Sequence, residues 1–324
     1  MLTAFLFVLL GLGLLIYGAD QFVTGAARIA RSMEISPLII GLTVVGLATS
    51  MPEILVSVVA ALAGKTEIAI GNAVGSNIAN IGLVLGGTVL CLPIVVASDA
   101  LRREYGLMCL AIVVTLLLFL DHYLGWLDAI ILLICLISFT GVVVWIAKNT
   151  PRSDPLVNEF AHELAEPAPV YKSLILLIIG LGLLLGGAEL LVRGAVIIAK
   201  HYGMTDLVIG LTIIAVGTSL PELATSITSV IKKEADIAIG NVIGSNMFNM
   251  LAVLSIPALI QPTEIDALVL IRDFPVMIGF TLLMGWMVFI HKHGKLERIE
   301  GLILILCFIG YQYWLFASIN TVTA

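Results

Sequence analysis

Charge is scarce in this chain. Of its 324 residues only 12% are Asp, Glu, Lys or Arg, against roughly a quarter in ordinary soluble domains. With 60% of residues apolar and a mean hydropathy of +1.14, there is too little polar surface to cover soluble cores. A soluble enzyme, a nucleic-acid binder and a disordered scaffold are therefore excluded. Cysteine chemistry is also thin. Cys91, Cys109, Cys135 and Cys307 lie inside or at the edge of apolar runs, show no CxxC spacing, and read as small buried hydrophobes. Histidine is missing from the apolar runs: His122, His162, His201, His291 and His293 all fall in loops or at helix ends. The net charge of −6 is mild. What remains is an all-α polytopic membrane protein.

A transmembrane helix needs about 20 mostly apolar residues. Ten segments qualify: 3–29, 37–63, 67–92, 104–120, 125–147, 173–199, 206–231, 237–260, 273–291 and 300–318. The long polar stretch 148–172 holds four of the eleven prolines and reads as a linker between two halves, 1–147 and 173–324. The first apolar run lacks the basic start of a signal peptide. Its pattern LLIYGADQFVTGA recurs as LLLGGAELLVRGA at 183–195, so it is kept as the first helix. With ten spans, twelve Lys and Arg fall on the linker side and four on the other. That asymmetry makes the linker cytoplasmic and puts both termini outside.

The chain repeats itself. Residues 37–80 align without gaps to 206–249, an offset of 169, with 19 identities in 44 positions. The identities are not only Leu, Ile and Val. They include Thr49/Thr218, Ser50/Ser219, Pro52/Pro221, Glu53/Glu222, Ser57/Ser226, Asn72/Asn241, Ser76/Ser245, Asn77/Asn246 and Asn80/Asn249. The same offset pairs Asp20 with Glu189 and Pro93 with Pro262. Five spans per half is an odd number, so the second half enters the membrane upside down. The expected fold is ten transmembrane helices as two inverted five-helix repeats, a transporter architecture with its site at the repeat interface.

The segments ATSMPEILVS (48–57) and GTSLPELATS (217–226) each put one Glu in an apolar helix. A carboxylate at mid-bilayer costs several kcal/mol and is functional by default. No basic residue lies at comparable depth in either repeat. Pro52 and Pro221 lack an N–H and clash with the carbonyls of Ala48 and Gly217, so each helix is expected to kink beside its Thr and Ser. Irregular backbone at this depth is tolerated where it lines a polar cavity. In GNAVGSNIAN (71–80) and GNVIGSNMFN (240–249), Ser76 and Asn80 share a helix face, as do Ser245 and Asn249. Close helix packing, with Ser and Asn as interhelical hydrogen bonders, accounts for these segments as well. A site of carboxylates, hydroxyls, amides and carbonyls suits hard cations such as Ca2+ and Na+, not Zn2+ or Cu+.

These paired segments resemble the two α-repeats of the sodium/calcium exchangers, within the calcium:cation antiporter superfamily. The resemblance covers nearly the whole chain, and the GNxxE segment typical of calcium/proton exchangers is absent from both halves. It implies a prokaryotic-type antiporter without a regulatory domain, since the linker is only 25 residues, in the cell (inner) membrane. It implies that Glu53 and Glu222 are shared by Ca2+ and Na+ sites. Thr49 and Thr218 would give carbonyls to Ca2+ and hydroxyls to Na+. Ser50, Ser76, Ser219 and Ser245 would bind Na+ with the carbonyls of Gly46 and Ala215, and Asn80 and Asn249 would complete the centre. The first and sixth helices would slide as a gating pair. Asp20 and Glu189 would line the access routes, although solvation at the interface explains them equally well.

Two positions depart from the family pattern. Ala48 stands where Gly is usual, and Asn249 where several well-known members have Asp. The formal charge of the site is then −2, from the two Glu alone. One Ca2+ or two Na+ would neutralise it, and an empty −2 site crosses a low-dielectric barrier poorly. The implied activity is Na+/Ca2+ exchange by alternating access, with no cofactor, no nucleic-acid partner, inorganic cations and the lipid bilayer as partners, and enough helices to work as a monomer. A Ca2+/H+, K+-dependent or Mg2+-linked antiporter using the same Glu pair stays open. A membrane enzyme is disfavoured by the absence of a nucleophile–base pair or Asp dyad, and a scaffold has no use for a Glu in each inverted copy.

Overall fold

The computed structural model describes residues 1–33, 35, 37–95, 100–149, 169–202, 215–291 and 294–322. Almost all of them are helical. In chain order the helices are α1 (Leu2–Ser32), α2 (Gly41–Thr49), α3 (Met51–Leu62), α4 (Thr66–Cys91), α5 (Ala100–Phe119) and α6 (Trp126–Asn149). The second half adds α7 (Val170–His201), α8 (Ala215–Thr218), α9 (Leu220–Ile231), α10 (Ala235–Ile260), α11 (Val269–His291) and α12 (Arg298–Val322). A helix satisfies its backbone groups within one segment, as a chain this apolar requires in lipid. Seven of these are long and apolar enough to cross a membrane, and α2 with α3 makes an eighth as a bent pair. The 20-residue α5 carries Arg102, Arg103 and Glu104 near its start. Most of the linker, 150–168, and residues 203–214, which include the start of the expected seventh span (206–231), lie outside the described residues.

Two short strand pairs decide the parity of the crossings. β1 (Ile94–Val95) pairs antiparallel with β4 (Lys295–Leu296), and β2 (Tyr123–Leu124) with β3 (Thr263–Glu264). Loops that hydrogen-bond to one another outside the bilayer share a face, so an even number of crossings separates them. Between β2 and β3 stand α6, α7 and α10, which is three. A fourth is required between His201 and Ala235, where α9 is the helix at hand. β1 and β3 are repeat equivalents at the offset of 169. With α5 as the expected fourth span between β1 and β2, the two clips sit on opposite faces, the arrangement that inverted halves call for.

The repeat mates α1 and α7 pack against each other antiparallel along nearly their whole length. Gly11, Gly18 and Gly25 recur every seven residues, and so do their equivalents Gly180, Gly187 and Gly194. A methyl added at Gly18 would lie 2.5 Å from the Leu184 nitrogen, and at Gly25 2.7 Å from the Leu177 nitrogen. Only glycine admits so close an approach of two backbones. Around this pair lies a small apolar cluster containing Ala19, Phe22, Ala26, Leu177 and Leu184. It is distinct from the main core, which α4, α5, α6, α10, α11 and α12 build. α4 and α10 are mostly buried within the protein, whereas α1 and α7 mostly face outward.

The cysteines depart from the sequence reading. Cys91 and Cys307 are exposed, and Cys109 and Cys135 half-buried. In a bilayer protein the apolar surface faces lipid, so an apolar environment does not require burial within the fold.

Candidate cation site

Both Glu-bearing helices are broken where the sequence leads one to expect. The bend between α2 and α3 is 46°. The break falls on Ser50 (φ −81°, ψ 5°), and in the second half on Ser219 (φ −88°, ψ 3°). Pro52 and Pro221 follow two residues later in the first turn of α3 and α9, where a missing N–H costs nothing. Glu53 and Glu222 occupy the same turn and are 1% exposed. Gly46 lies on α2, close against the Gly244–Ser245 backbone of α10, and Ala215 opens α8. Ala48 is half-buried. Its equivalent Gly217 has no such room, because a methyl there would collide with the Val192 side chain.

From the other direction come α4 and α10. Asn80 and Asn249 each open a π-helical stretch, Asn80–Leu85 and Asn249–Val253. Such a widened turn re-aims side chains at functional sites. Ser76, Asn80, Ser245 and Asn249 are all buried, as are Thr49, Ser50 and Ser219, with Thr218 half-buried.

The hydroxyls cross between halves. Ser50 Oγ donates to Glu222 Oε1 at 3.4 Å. Glu53 is bonded by Thr218 from the opposite half, and accepts from Ser76 Oγ at 3.5 Å. Thr49 Oγ1 lies 3.0 Å from Asn241 Oδ1 and 3.4 Å from Ser245 Oγ. Ser245 Oγ donates in turn to the Gly46 carbonyl at 3.3 Å. Several oxygens remain without a protein partner: Glu53 Oε2, Glu222 Oε2, Asn80 Oδ1, Asn249 Oδ1 and Ser219 Oγ. Buried acceptors without donors are costly. A cluster of them, with two carboxylates among them, is electrostatically suited to a cation. Among the described residues no three His, Cys, Asp or Glu side chains converge; the groups gathered here are carboxylates, hydroxyls, amides and carbonyls, an all-oxygen set of the kind that suits hard cations.

Asp20 and Glu189 do not join this cluster. Asp20 pairs with Lys232 at 2.7 Å, and Glu189 with Arg193 of its own helix at 2.6 Å. Arg31 in the last turn of α1 pairs with Glu234 at 2.6 Å. Burial pushes the Glu234 carboxyl up, with the Arg31 guanidinium opposing.

Sequence reasoning recorded Asn72, Asn241, Ser57 and Ser226 as identities but gave them no role. Asn72 Nδ2 donates to the Glu53 carbonyl and to Ser57 Oγ, both at 3.0 Å. Asn241 Nδ2 donates to the Glu222 carbonyl at 3.4 Å and to Ser226 Oγ at 3.1 Å. These are matched braces that fix each Glu-bearing turn to the adjacent helix of its own half. The signal that would have found them was their recurrence at the offset of 169.

The sequence profile of the sodium/calcium exchanger protein family matches residues 3–145 and 172–317. This chain belongs to that family. Among its relatives, the putative antiporter CaxA of Alkalimonas amylolytica is 49% identical over 98% of this chain and 100% of its own. The inner membrane protein YrbG of Escherichia coli (strain K12) is 39% identical over 97% of this chain and 98% of its own. Structures of the sodium-calcium exchanger NCX_Mj, soaked at different ion levels, share the fold. The one soaked with zero Na+ and Ca2+ has a TM-score of 0.81 and 36% identity, over 95% of this chain and 97% of that one. The chain is thus a cation antiporter of the exchanger family and not an enzyme. The site described above lies on the helices that carry its two internal repeats.

Proposed function

We propose that this antiporter exchanges Na+ for Ca2+ by alternating access at a site built on Glu53 and Glu222. The observation that carries the reading is the set of unpartnered buried oxygens on Glu53, Glu222, Asn80 and Asn249, contributed equally by the two inverted halves. Ca2+ would take the two carboxylates with carbonyls at the Thr49 and Thr218 turns. Na+ would take the same carboxylates with the hydroxyls of Thr49, Ser50, Ser76, Thr218, Ser219 and Ser245 and the carbonyls of Gly46 and Ala215. Because both ions need the same two Glu, occupancy is competitive. Two like charges held close in a low-dielectric site repel, so the empty carrier is held back and only the loaded one reorients. That enforces exchange instead of leak. Asp20 and Glu189, at the surfaces of α1 and α7, are proposed to lie on the two access routes. The linker side is assigned to the cytoplasm by its Lys and Arg, and the bilayer to the inner membrane, as YrbG is named. Halves 1–147 and 173–324 act as the two inverted units of one monomer.

The test is radioactive Ca2+ uptake into proteoliposomes loaded with Na+, K+ or acidic buffer. Uptake from Na+-loaded vesicles only, lost in Glu53→Gln and in Glu222→Gln, is the expected result. Uptake driven by the pH gradient without Na+ would move the protein to proton coupling, and uptake needing K+ to a K+-dependent exchanger.

A further inference from the structure

Behind the candidate ligands lies a second, wholly buried layer. Asn77, Asn246, Met108 and Met277 are all buried. Asn77 and Asn246 are repeat mates, and so are Met108 and Met277, at the offset of 169. Each Asn reaches the Met of the opposite half. Asn246 Nδ2 donates to Met108 Sδ at 3.7 Å, and Asn77 Nδ2 to Met277 Sδ at 3.6 Å. Asn246 Oδ1 then accepts from Asn80 Nδ2 at 3.1 Å, which leaves Asn80 Oδ1 turned away and without a partner. In the mirror arm Asn77 Oδ1 is unpartnered, and so is the whole Asn249 amide.

A carboxamide has two chemically different ends, an oxygen that accepts and an NH2 that donates. A cation binds the oxygen and is repelled by the NH2. An Asp ligand needs no such choice, because its two oxygens are equivalent. An Asn ligand turned by 180° is a non-ligand, so something must hold it. A thioether has no donor and can only accept, so Met108 fixes which end of Asn246 faces it. The Asn246 oxygen in turn fixes which end of Asn80 faces it.

We propose that Asn77 and Asn246 are positioning residues, each oriented by a methionine of the opposite half, that set the Asn80 and Asn249 amides oxygen-first toward the transported ions. The inference rests on the site reading above. The Met108–Asn246–Asn80 arm is the one made in this structure. Asn77, held by Met277, is the acceptor available to the Asn249 NH2 in the other. The two centre amides are thereby tied to helices that carry no ligand of their own, α5 and α11.

The experiment uses the full-length protein in Na+-loaded proteoliposomes, with the half-saturating Ca2+ concentration and the maximal uptake rate both read. Asn246→Leu keeps the branching and heavy-atom count of the side chain and removes the acceptor. It is expected to raise half-saturation about tenfold or more, as loss of an outer-sphere partner typically does, with the maximal rate kept at saturating Ca2+. Met108→Leu should move it in the same direction by less, and carries the test if Asn246→Leu does not fold. In an Asn80→Asp background, Asn246→Leu should add about twofold or less, since both carboxylate oxygens are equivalent and the two substitutions are then not additive. Melting of ion-free protein should be the same with and without Asn246→Leu, while the upward shift of melting on adding Ca2+ should shrink. Unchanged half-saturation, or an equal effect with and without the Asn80→Asp substitution together with a lowered ion-free melting point, overturns the proposal in favour of plain packing. If Glu53→Gln and Glu222→Gln retain ion-driven uptake, the site reading itself fails. If those two abolish uptake while Asn246→Leu is silent, only the positioning role fails.

Discussion

The formal charge of the candidate site rests on Glu53 and Glu222, because Asn249 stands where a carboxylate would add a third. Asn249→Asp is the substitution that tests this arithmetic. Its side chain is 1% exposed with neither amide atom partnered, so an Asp there has no donor to share its charge except the ions. If it ionises, the site holds a charge of −3, which a further Na+ per cycle would offset, and the reversal potential of Na+/Ca2+ exchange in voltage-clamped vesicles, set by that ion count, shifts. Na+ dependence and reversal potential both identical to the parent would show that the position does not set the number of Na+ per cycle. The identity of these residues was legible from one sequence, because a Glu, a Thr–Ser pair and a Ser–Asn pair recurring at fixed offset in apolar helices have few other uses. Their partners were less so. That Asn72 holds the Glu53 carbonyl follows from the turn geometry after Gly64. That Thr218 and Glu53 meet across the halves follows only from the fold.

Among the elements, the pair α1–α7 and its surroundings break the two-fold symmetry. On the linker side α1 is tied to the turn between α9 and α10 twice, Asp20 to Lys232 and Arg31 to Glu234. At the offset of 169 the corresponding residues are Glu189 with Ala63 and Lys200 with Lys65. Neither of those combinations can form an ion pair, so the two pairs that tie the C-terminal part of α1 have no repeat mates at the corresponding part of α7. Even the turn differs: Gly64 takes its left-handed conformation (φ 75°) without strain, while Lys233 adopts it (φ 62°) in the mate at a side-chain cost. Glu234→Gln should therefore loosen the C-terminal end of α1. Removing one partner of a partly buried pair costs on the order of 1 kcal/mol, between the exposed and buried cases. Hydrogen exchange of the amides of residues 26–33 should then quicken about fivefold, with those of 195–202 on α7 unaffected. Equal exchange in parent and variant would mean that packing against the small apolar cluster, and not the ion pair, holds that end. No periodicity in the sequence points to these pairs, since their members lie about 200 residues apart and are not repeat mates. The glycine seam of α1 and α7 was present in the sequence as a seven-residue spacing, but became a seam only once the two helices were seen to run antiparallel.

At the scale of the whole molecule, orientation is a matter of counting. The Lys and Arg asymmetry is the ground for proposing that the linker side is cytoplasmic, and the strand pairs add an independent constraint that the sequence did not disclose. β2 and β3 must lie on one face and β1 and β4 on the other, since α5 alone separates Val95 from Tyr123. If one crossing were lost from the second half, β3 would be carried to the face opposite β2 and their hydrogen bonds could not exist. The ten-span count, two inverted halves and the positive-inside bias thus lead to a joint expectation that one labelling experiment can check. In a background with Cys91, Cys109, Cys135 and Cys307 replaced by Ser, a single cysteine is introduced by Glu264→Cys or by Lys295→Cys. Both residues are exposed. A membrane-impermeant maleimide applied to intact cells should label the first at once and the second only after permeabilisation. The reverse pattern would mean that the charge asymmetry does not orient this chain, leaving the inverted architecture intact. Labelling of both from one side would break the parity itself, and with it the argument that the two Glu-bearing turns approach the same site from opposite faces of the membrane.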